Sequence, residues 1–226
     1  MHVFRFFVDG LHAPGGEAAL RTADRRHAEQ VLRLRPGAPV EVADEAGSVF
    51  RAELLAEGRV ALLDRVAAPA PAAAAPVVWL ALAGGRGDLA VEKLTELGVR
   101  GIGFVQAERG RGVPRVERWS RVAEAAAKQS RRARLPDLLG SAPFAAVVRE
   151  PGAVVLDHEA TDAGRFAPPP GAAILVGPEA GWSDAERTLA RAAGTPLARL
   201  GDGQVLRSET AAIAAAAVAI LGTRPA

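Results

Sequence analysis

The chain contains no cysteine. Disulfides, thiolate metal sites and cysteine nucleophiles are therefore excluded. Alkylation of a pyrimidine carbon through a covalent cysteine adduct falls with them. Lysine is nearly absent too: Lys93 and Lys128 are the only lysines among 28 basic residues, so the rest are arginine. Histidine is scarce, and His2, His12, His27 and His158 show no metal-ligand spacing, so no metal site is expected. Long apolar runs are missing. The longest, residues 211–221, is too short to span a bilayer and is mostly alanine. The first nine residues, Met1-His2-Val3-Phe4-Arg5-Phe6-Phe7-Val8-Asp9, lack the apolar core and cleavage site of a secretory signal. A cytoplasmic location without membrane attachment is the expectation.

What is present suits a soluble protein with a sizeable core. The chain has 226 residues, 49% hydrophobic and 24% charged, enough for one large or two modest domains. Net charge is only +2, but the arginines cluster. Arg109, Arg111, Arg115, Arg118, Arg121, Arg131, Arg132 and Arg134 fall in one central stretch. Guanidinium groups bind phosphate bidentately and stack on bases, so this patch points to a polyanion partner.

Residues 1–66 read as short strands with little helix. Phe4-Arg5-Phe6-Phe7-Val8 is one strand; residues 39–44 and 48–54 form a hairpin around the turn Asp44-Glu45-Ala46-Gly47, and a further strand follows from 59 to 66. One short helix is expected near residues 27–32. A small β-barrel fits this pattern. Residues 67–76, rich in alanine and proline, read as a linker. Residues 77–226 alternate strands with helices, the signature of a parallel α/β sheet. Asp88 is expected to cap the first helix, and Ser183-Asp184-Ala185-Glu186 to form a capping box. Gln129 and Arg132, three apart, are placed on one face of a helix over 117–132. Glu124 and Lys128 are expected to pair at i, i+4.

Gly84-Gly85-Arg86-Gly87 lacks the full dinucleotide-binding spacing and reads as a plain tight turn. Two later loops are more informative: Val176-Gly177-Pro178-Glu179-Ala180-Gly181-Trp182 and Leu200-Gly201-Asp202-Gly203-Gln204-Val205-Leu206-Arg207. Each follows an apolar run and precedes a helix. Together they make a shelf of bare backbone suited to a flat, nucleoside-like ligand. Glu179 at a loop tip can hold an amine or a ribose hydroxyl. Ser208 or Thr210 caps the last helix, with Arg207 and Glu209 beside the shelf. That helix is small-residue-rich all round and is expected to be buried between the sheet and a second subunit.

These motifs resemble, in order and over nearly the whole chain, the ribosomal RNA small subunit methyltransferase E family of the SPOUT (trefoil-knot) superfamily. The matching pieces are Arg5-Phe6-Phe7, Val31-Leu32-Arg33, Lys93-Leu94-Thr95-Glu96-Leu97-Gly98-Val99, Glu108-Arg109, the string from Trp119 through Glu124, Gln129 and Arg132 to Leu135-Pro136, and both loops. The resemblance implies an N-terminal PUA-like β-barrel (1–66) that helps bind RNA. It also implies a C-terminal α/β trefoil-knot methyltransferase domain (77–226) and a homodimer. The implied reaction is methyl transfer from S-adenosylmethionine to N3 of one uridine in 16S ribosomal RNA, free or in the 30S subunit. Cofactor contacts are then expected from Leu156, Val176, Gly177, Pro178, Glu179, Gly181, Leu200, Gly201, Val205, Leu206, Ser208, Thr210 and Ala211. Glu209 is expected to take the N3 proton and Arg207 to hold the uracil oxygens. Arg5, Lys93, Arg109, Gln129 and Arg132 are expected to contact RNA. Two departures stand out: Ala180 replaces a family glycine, a strained choice if φ is positive there, and the second loop is one residue longer. The alternatives are a knotted methyltransferase acting on a ribose or another base, or an inactive RNA-binding protein. A dinucleotide enzyme is disfavoured because its glycine signature would follow the first strand.

Overall fold

The computed structural model describes residues 3–66, 74–82, 85–201 and 205–221. Most of the expected linker (67–73) lies outside these residues, as do His2, Gly84 and Asp202-Gly203-Gln204. The chain divides into two compact units, residues 1–71 with 127–135, and residues 72–126 with 136–226.

The first unit holds β1 (Phe4–Phe7), β2 (Glu17–Ala19), α1 (Thr22–Arg26), a π-helical turn (His27–Val31), β3 (Pro39–Ala43), β4 (Val49–Leu54), a 3-10 turn (Ala56–Gly58) and β5 (Arg59–Val66). The strands form one sheet in the order β1-β3-β4-β5-β2. Only β1 and β3 run parallel. The expected hairpin turn is present: Asp44, buried, accepts from the Ser48 amide at 2.8 Å. The two sheet edges meet at a single antiparallel bridge, Val8 to Leu20, so the sheet is curled rather than laddered shut.

Alternation along β1 serves two apolar clusters. Phe6 joins Val8, Val40, Val42, Phe50, Leu54 and Leu62 inside the curl. Phe7 joins Ala43, Val49, Ala127 and Ala133 on the other face. Segment 127–135 is therefore part of this unit, held also by charge. Glu41 accepts from Arg5 at 2.7 Å and from Arg131 at 2.9 Å, and Arg5 donates to the Arg131 carbonyl. Arg131 has φ 57, a left-handed conformation costing about 1–2 kcal/mol that these bonds hold in place.

Burial pushes the Glu41 carboxyl up, but the hydrogen bonds from Arg131 and Arg5 outweigh it and hold the group below its ordinary value of 4.5. A Glu41→Gln variant is expected to lose about 2–3 kcal/mol of stability at pH 7, because Arg5 would stay buried without its charge partner. The depressed carboxyl stabilises fully above its unfolded value and loses that effect as pH falls through the native one. The gap between variant and wild type should thus close only in acid. Urea midpoints at neutral and acid pH measure this; equal midpoints at pH 7 would refute it.

The second unit holds β6 (Val77–Leu80), α2 (Gly85–Leu97), β7 (Gly101–Gln106), α3 (Val116–Gln129, its end in the first unit), β8 (Asp137–Pro143), α4 (Phe144–Val147), β9 (Val154–Leu156), β10 (Gly164–Arg165), β11 (Ala173–Val176), α5 (Asp184–Ala192), β12 (Leu197–Arg199) and α6 (Ser208–Leu221). All strands run parallel in the order β10-β12-β9-β11-β6-β7-β8. Successive side chains feed opposite faces. Val78, Leu80, Ile102, Ile174 and Val176 pack with α2, α3 and α6. Val77, Trp79, Val105, Val155 and Leu175 pack with α4 and α5. The result is a three-layer α/β/α unit.

Several expectations shift in detail. Asp88 lies in the first turn of α2, not before it, and pairs with Arg118. The Ser183–Glu186 capping box forms as expected. Helix α3 stops at Gln129, and left-handed Arg131 intervenes, so Gln129 and Arg132 do not share a helix face. Helix α6 buries one face, Ser208, Glu209, Ala212, Ala215, Ala216 and Ala219, against α2 and the sheet, while Val218 and Leu221 are exposed. Among the described residues no helix is long and apolar enough to cross a membrane.

Candidate functional site

In a parallel sheet every strand presents its carboxyl end to the same edge, and ligands bind in the crevice beyond it. Here β9, β11 and β12 are adjacent, and the loops leaving them enclose a pocket. Its walls include Leu156, Val176, Gly177, Pro178, Glu179, Gly181, Leu200, Val205, Leu206, Ser208 and Ala211, eleven of the thirteen positions named for the cofactor. Gly201 and Thr210 do not line it, and both are exposed. Asp157, His158, Trp182, Ala198 and Arg199 line it unforeseen. Four of these belong to the ends of β9 and β12, where strand position alone signals them; Trp182 follows directly on Gly181.

The shape of the first loop is forced. Gly181 sits at φ 70, where a Cβ is disfavoured, and its amide bonds to the Pro178 carbonyl at 2.9 Å. Ala180 is not among the positive-φ residues, so the departure from glycine carries no strain. The Trp182 ring, 1% exposed, lies against Gly177, where a Cβ would stand 3.0 Å from it. Its indole N–H donates to the Leu156 carbonyl at 2.8 Å, tying this loop to the end of β9.

Charge fixes the opposite wall. Arg187 reaches Asp157 at 2.7 Å and Glu159 at 2.5 Å. Its guanidinium is held above its ordinary value chiefly by the hydrogen bond to Asp157. Asp157 also accepts from the Glu159 amide at 2.9 Å. The turn carrying His158 is thereby braced from below. The donor set fits an amine-bearing nucleoside: apolar Leu156, Val176, Leu206 and Ala211 for a base, the Glu179 carboxylate for a hydroxyl or an amine, and open backbone at 177–181.

A second pocket adjoins the first across Pro178, Glu179 and Ser208. Arg86, Arg109, Arg111 and Glu209 line it. Glu209 is 7% exposed, and its Oε2 is buried with no hydrogen-bond partner among the described residues. Arg86 pairs with Glu179. Arg109 donates to the Ala180 carbonyl at 3.1 Å.

Of the two expected catalytic residues, the structure brings only Glu209 to a pocket. Arg207 is exposed and lines neither. Of the expected RNA contacts, Arg109 stands at the second pocket and Gln129 is exposed. Arg132 is half-buried, just past the end of α3. Lys93 pairs with Glu92 at 2.7 Å and Glu96 at 2.9 Å, away from both pockets. Arg5 is engaged by Glu41, with only 8% of its side chain exposed.

Fold and pocket together are those of an α/β RNA methyltransferase, and a family model described as an RNA methyltransferase domain matches residues 70–220. A Mycobacterium bovis protein named ribosomal RNA small subunit methyltransferase E is 34% identical, covering 97% of this chain and 92% of its own. A Synechocystis protein of the same name is 31% identical over 85% of this chain and 69% of its own. The crystal structure of the ribosomal RNA small subunit methyltransferase E from Neisseria gonorrhoeae, bound to S-adenosyl methionine, matches with a TM-score of 0.86 at 28% identity, over 96% of each chain. The chain belongs to the ribosomal RNA small subunit methyltransferase E family.

Proposed function

We propose that this protein transfers a methyl group from S-adenosylmethionine to N3 of a uridine in 16S ribosomal RNA. The observation that carries the reading is the pocket formed where the two C-terminal loops meet at the carboxyl ends of β9, β11 and β12, in a chain whose relatives carry that family name. S-adenosylmethionine supplies an electrophilic methyl group when bound. The pocket's apolar floor would take the adenine, and Glu179 the ribose or amine. The chain's own part is to hold the base, receive its proton and exclude water. Uridine N3 bears a proton that must leave as the new bond forms, and the burial of Glu209 at the second pocket supports it as the acceptor. The target base leaves its stack to reach the site.

Residues 1–66 are proposed as a PUA-like RNA-binding module. Residues 77–226 are proposed as the knotted domain, acting as a homodimer in the cytoplasm. Arg5, Lys93, Arg109, Gln129 and Arg132 are the proposed RNA contacts, with Arg109 nearest the chemistry. Calorimetric titration of S-adenosylmethionine, followed by methylation of unmodified 30S subunits and nucleoside analysis, tests the reading. Binding together with new 3-methyluridine supports it. A different methylated nucleoside would favour another knotted methyltransferase, and absence of cofactor binding an RNA-binding protein.

A further inference from the structure

We propose that Arg86, outside the residues expected to act from sequence, is the group that holds the target base through the carbonyl oxygens beside N3. This rests on the uridine-N3 reading above.

The second pocket offers one buried carboxylate, Glu209, and three guanidinium groups, Arg86, Arg109 and Arg111; Arg86 is set apart by its partner Glu179, which lines both pockets. Arg109 is engaged by the Ala180 carbonyl. Arg86 is engaged by Glu179, itself a wall of the first pocket. Arg207, the sequence-based choice, lines neither. The imide edge of uracil presents an N–H donor between two carbonyl acceptors. A carboxylate with an unpaired oxygen beside a guanidinium is complementary to that edge. Cytosine, with a lone pair on N3 and an amino donor in place of one carbonyl, would set acceptor against the Glu209 carboxylate and donor against the guanidinium.

The same arrangement favours the reaction as well as binding. The N3–H proton passes to the Glu209 carboxylate, and the N3 electron pair forms the bond to the methyl carbon. The carbon–sulfur bond breaks and its pair stays on sulfur, leaving S-adenosylhomocysteine. As the proton leaves, negative charge spreads over both carbonyl oxygens, so a fixed guanidinium there strengthens its hold toward the transition state. The N-terminus of α6, at Ser208 and Glu209, adds partial positive charge on the same side.

Glu179 then links the two sites. It holds Arg86 in the present structure. A cofactor hydroxyl or amine that engages Glu179 releases the guanidinium for the base. Cofactor and base binding should therefore reinforce each other, and equally in both directions.

The test compares the wild-type chain with Arg86→Gln and Arg86→Lys, by S-adenosylmethionine calorimetry and by initial rates on unmodified 30S subunits across pH. Arg86→Gln is expected to keep cofactor affinity within about threefold and to lose about 10²–10³-fold in kcat. Its rate should keep rising with pH beyond the point where the wild-type rate levels, because the base anion has lost its stabiliser. Arg86→Lys should recover part of the rate. A wild-type kcat in Arg86→Gln, a loss confined to KM, or a loss of cofactor binding would each overturn the assignment. If the wild type makes no 3-methyluridine, the underlying reading fails and this assignment with it. If it does and Arg86→Gln matches it, the assignment fails alone.

Discussion

A Glu209→Gln chain is expected to bind S-adenosylmethionine as the wild type does and to lose about 10²–10⁴-fold in methyl transfer. The substitution keeps shape and hydrogen-bonding capacity while removing the ability to accept a proton. The expectation comes from burial and loneliness together. At 7% exposure the residue would ordinarily be paired, yet Oε2 has no partner among the described residues. An unsatisfied buried oxygen costs about 1–3 kcal/mol or more, which folding alone gives no reason to retain. It is retained beside a pocket lined with arginine, the place where an incoming donor would satisfy it. Arg207→Ala is the contrast: an exposed residue lining neither pocket should alter KM for RNA more than kcat. Single-turnover rates with saturating cofactor separate the two. A Glu209→Gln rate within tenfold of wild type would remove Glu209 from proton transfer.

The parallel sheet and both loops were legible because their signals are local. Buried strands such as Ala173–Val176 are continuous apolar runs, and Gly181 stands where φ is positive. The capping box at Ser183 is a four-residue pattern and formed as read. What escaped has weak or absent periodicity. Strands Glu17–Ala19 and Gly164–Arg165 are too short to alternate. Strand Asp137–Pro143, an edge strand, carries glycine, serine and proline that read as loop. The curl of the first sheet closes through the Val8–Leu20 bridge, a pairing that the local pattern around neither residue signals.

The site divides the same way. The loop positions that line the first pocket were legible because glycine and proline mark them. Arg86 carried no such signal, because its glycine-flanked segment reads as a plain turn; only the fold brings it to the pocket that Pro178, Glu179 and Ala180 also line. Arg5 shows what sequence alone leaves out. A basic residue in sequence looks available to RNA, whereas Glu41 and the Arg131 carbonyl, far along the chain, engage it. Arginine arithmetic predicts charge, and only tertiary contact predicts which charges are open.

Trp182→Ala is expected to do the greatest damage to the cofactor pocket without touching a proposed chemical group. The ring is 1% exposed, packs on Phe144 with centroids 4.9 Å apart and closes against Gly177. Truncating such a ring costs about 3–5 kcal/mol. The loss falls where the loop at 177–181 meets the end of β9, since the indole N–H bridges them through the Leu156 carbonyl. Affinity for S-adenosylmethionine should therefore fall at least about tenfold, or about 1.4 kcal/mol. Trp182→Phe keeps most of the apolar contact and loses the bond, so its stability cost should be about 1–2 kcal/mol. Its cofactor affinity should lie between the two. Chemical denaturation and calorimetry on the three chains give both quantities. Should Trp182→Ala unfold more easily yet bind cofactor as the wild type does, the loop keeps its shape without the ring. The positive φ of Gly181 and its bond to Pro178 would then be what holds the pocket open.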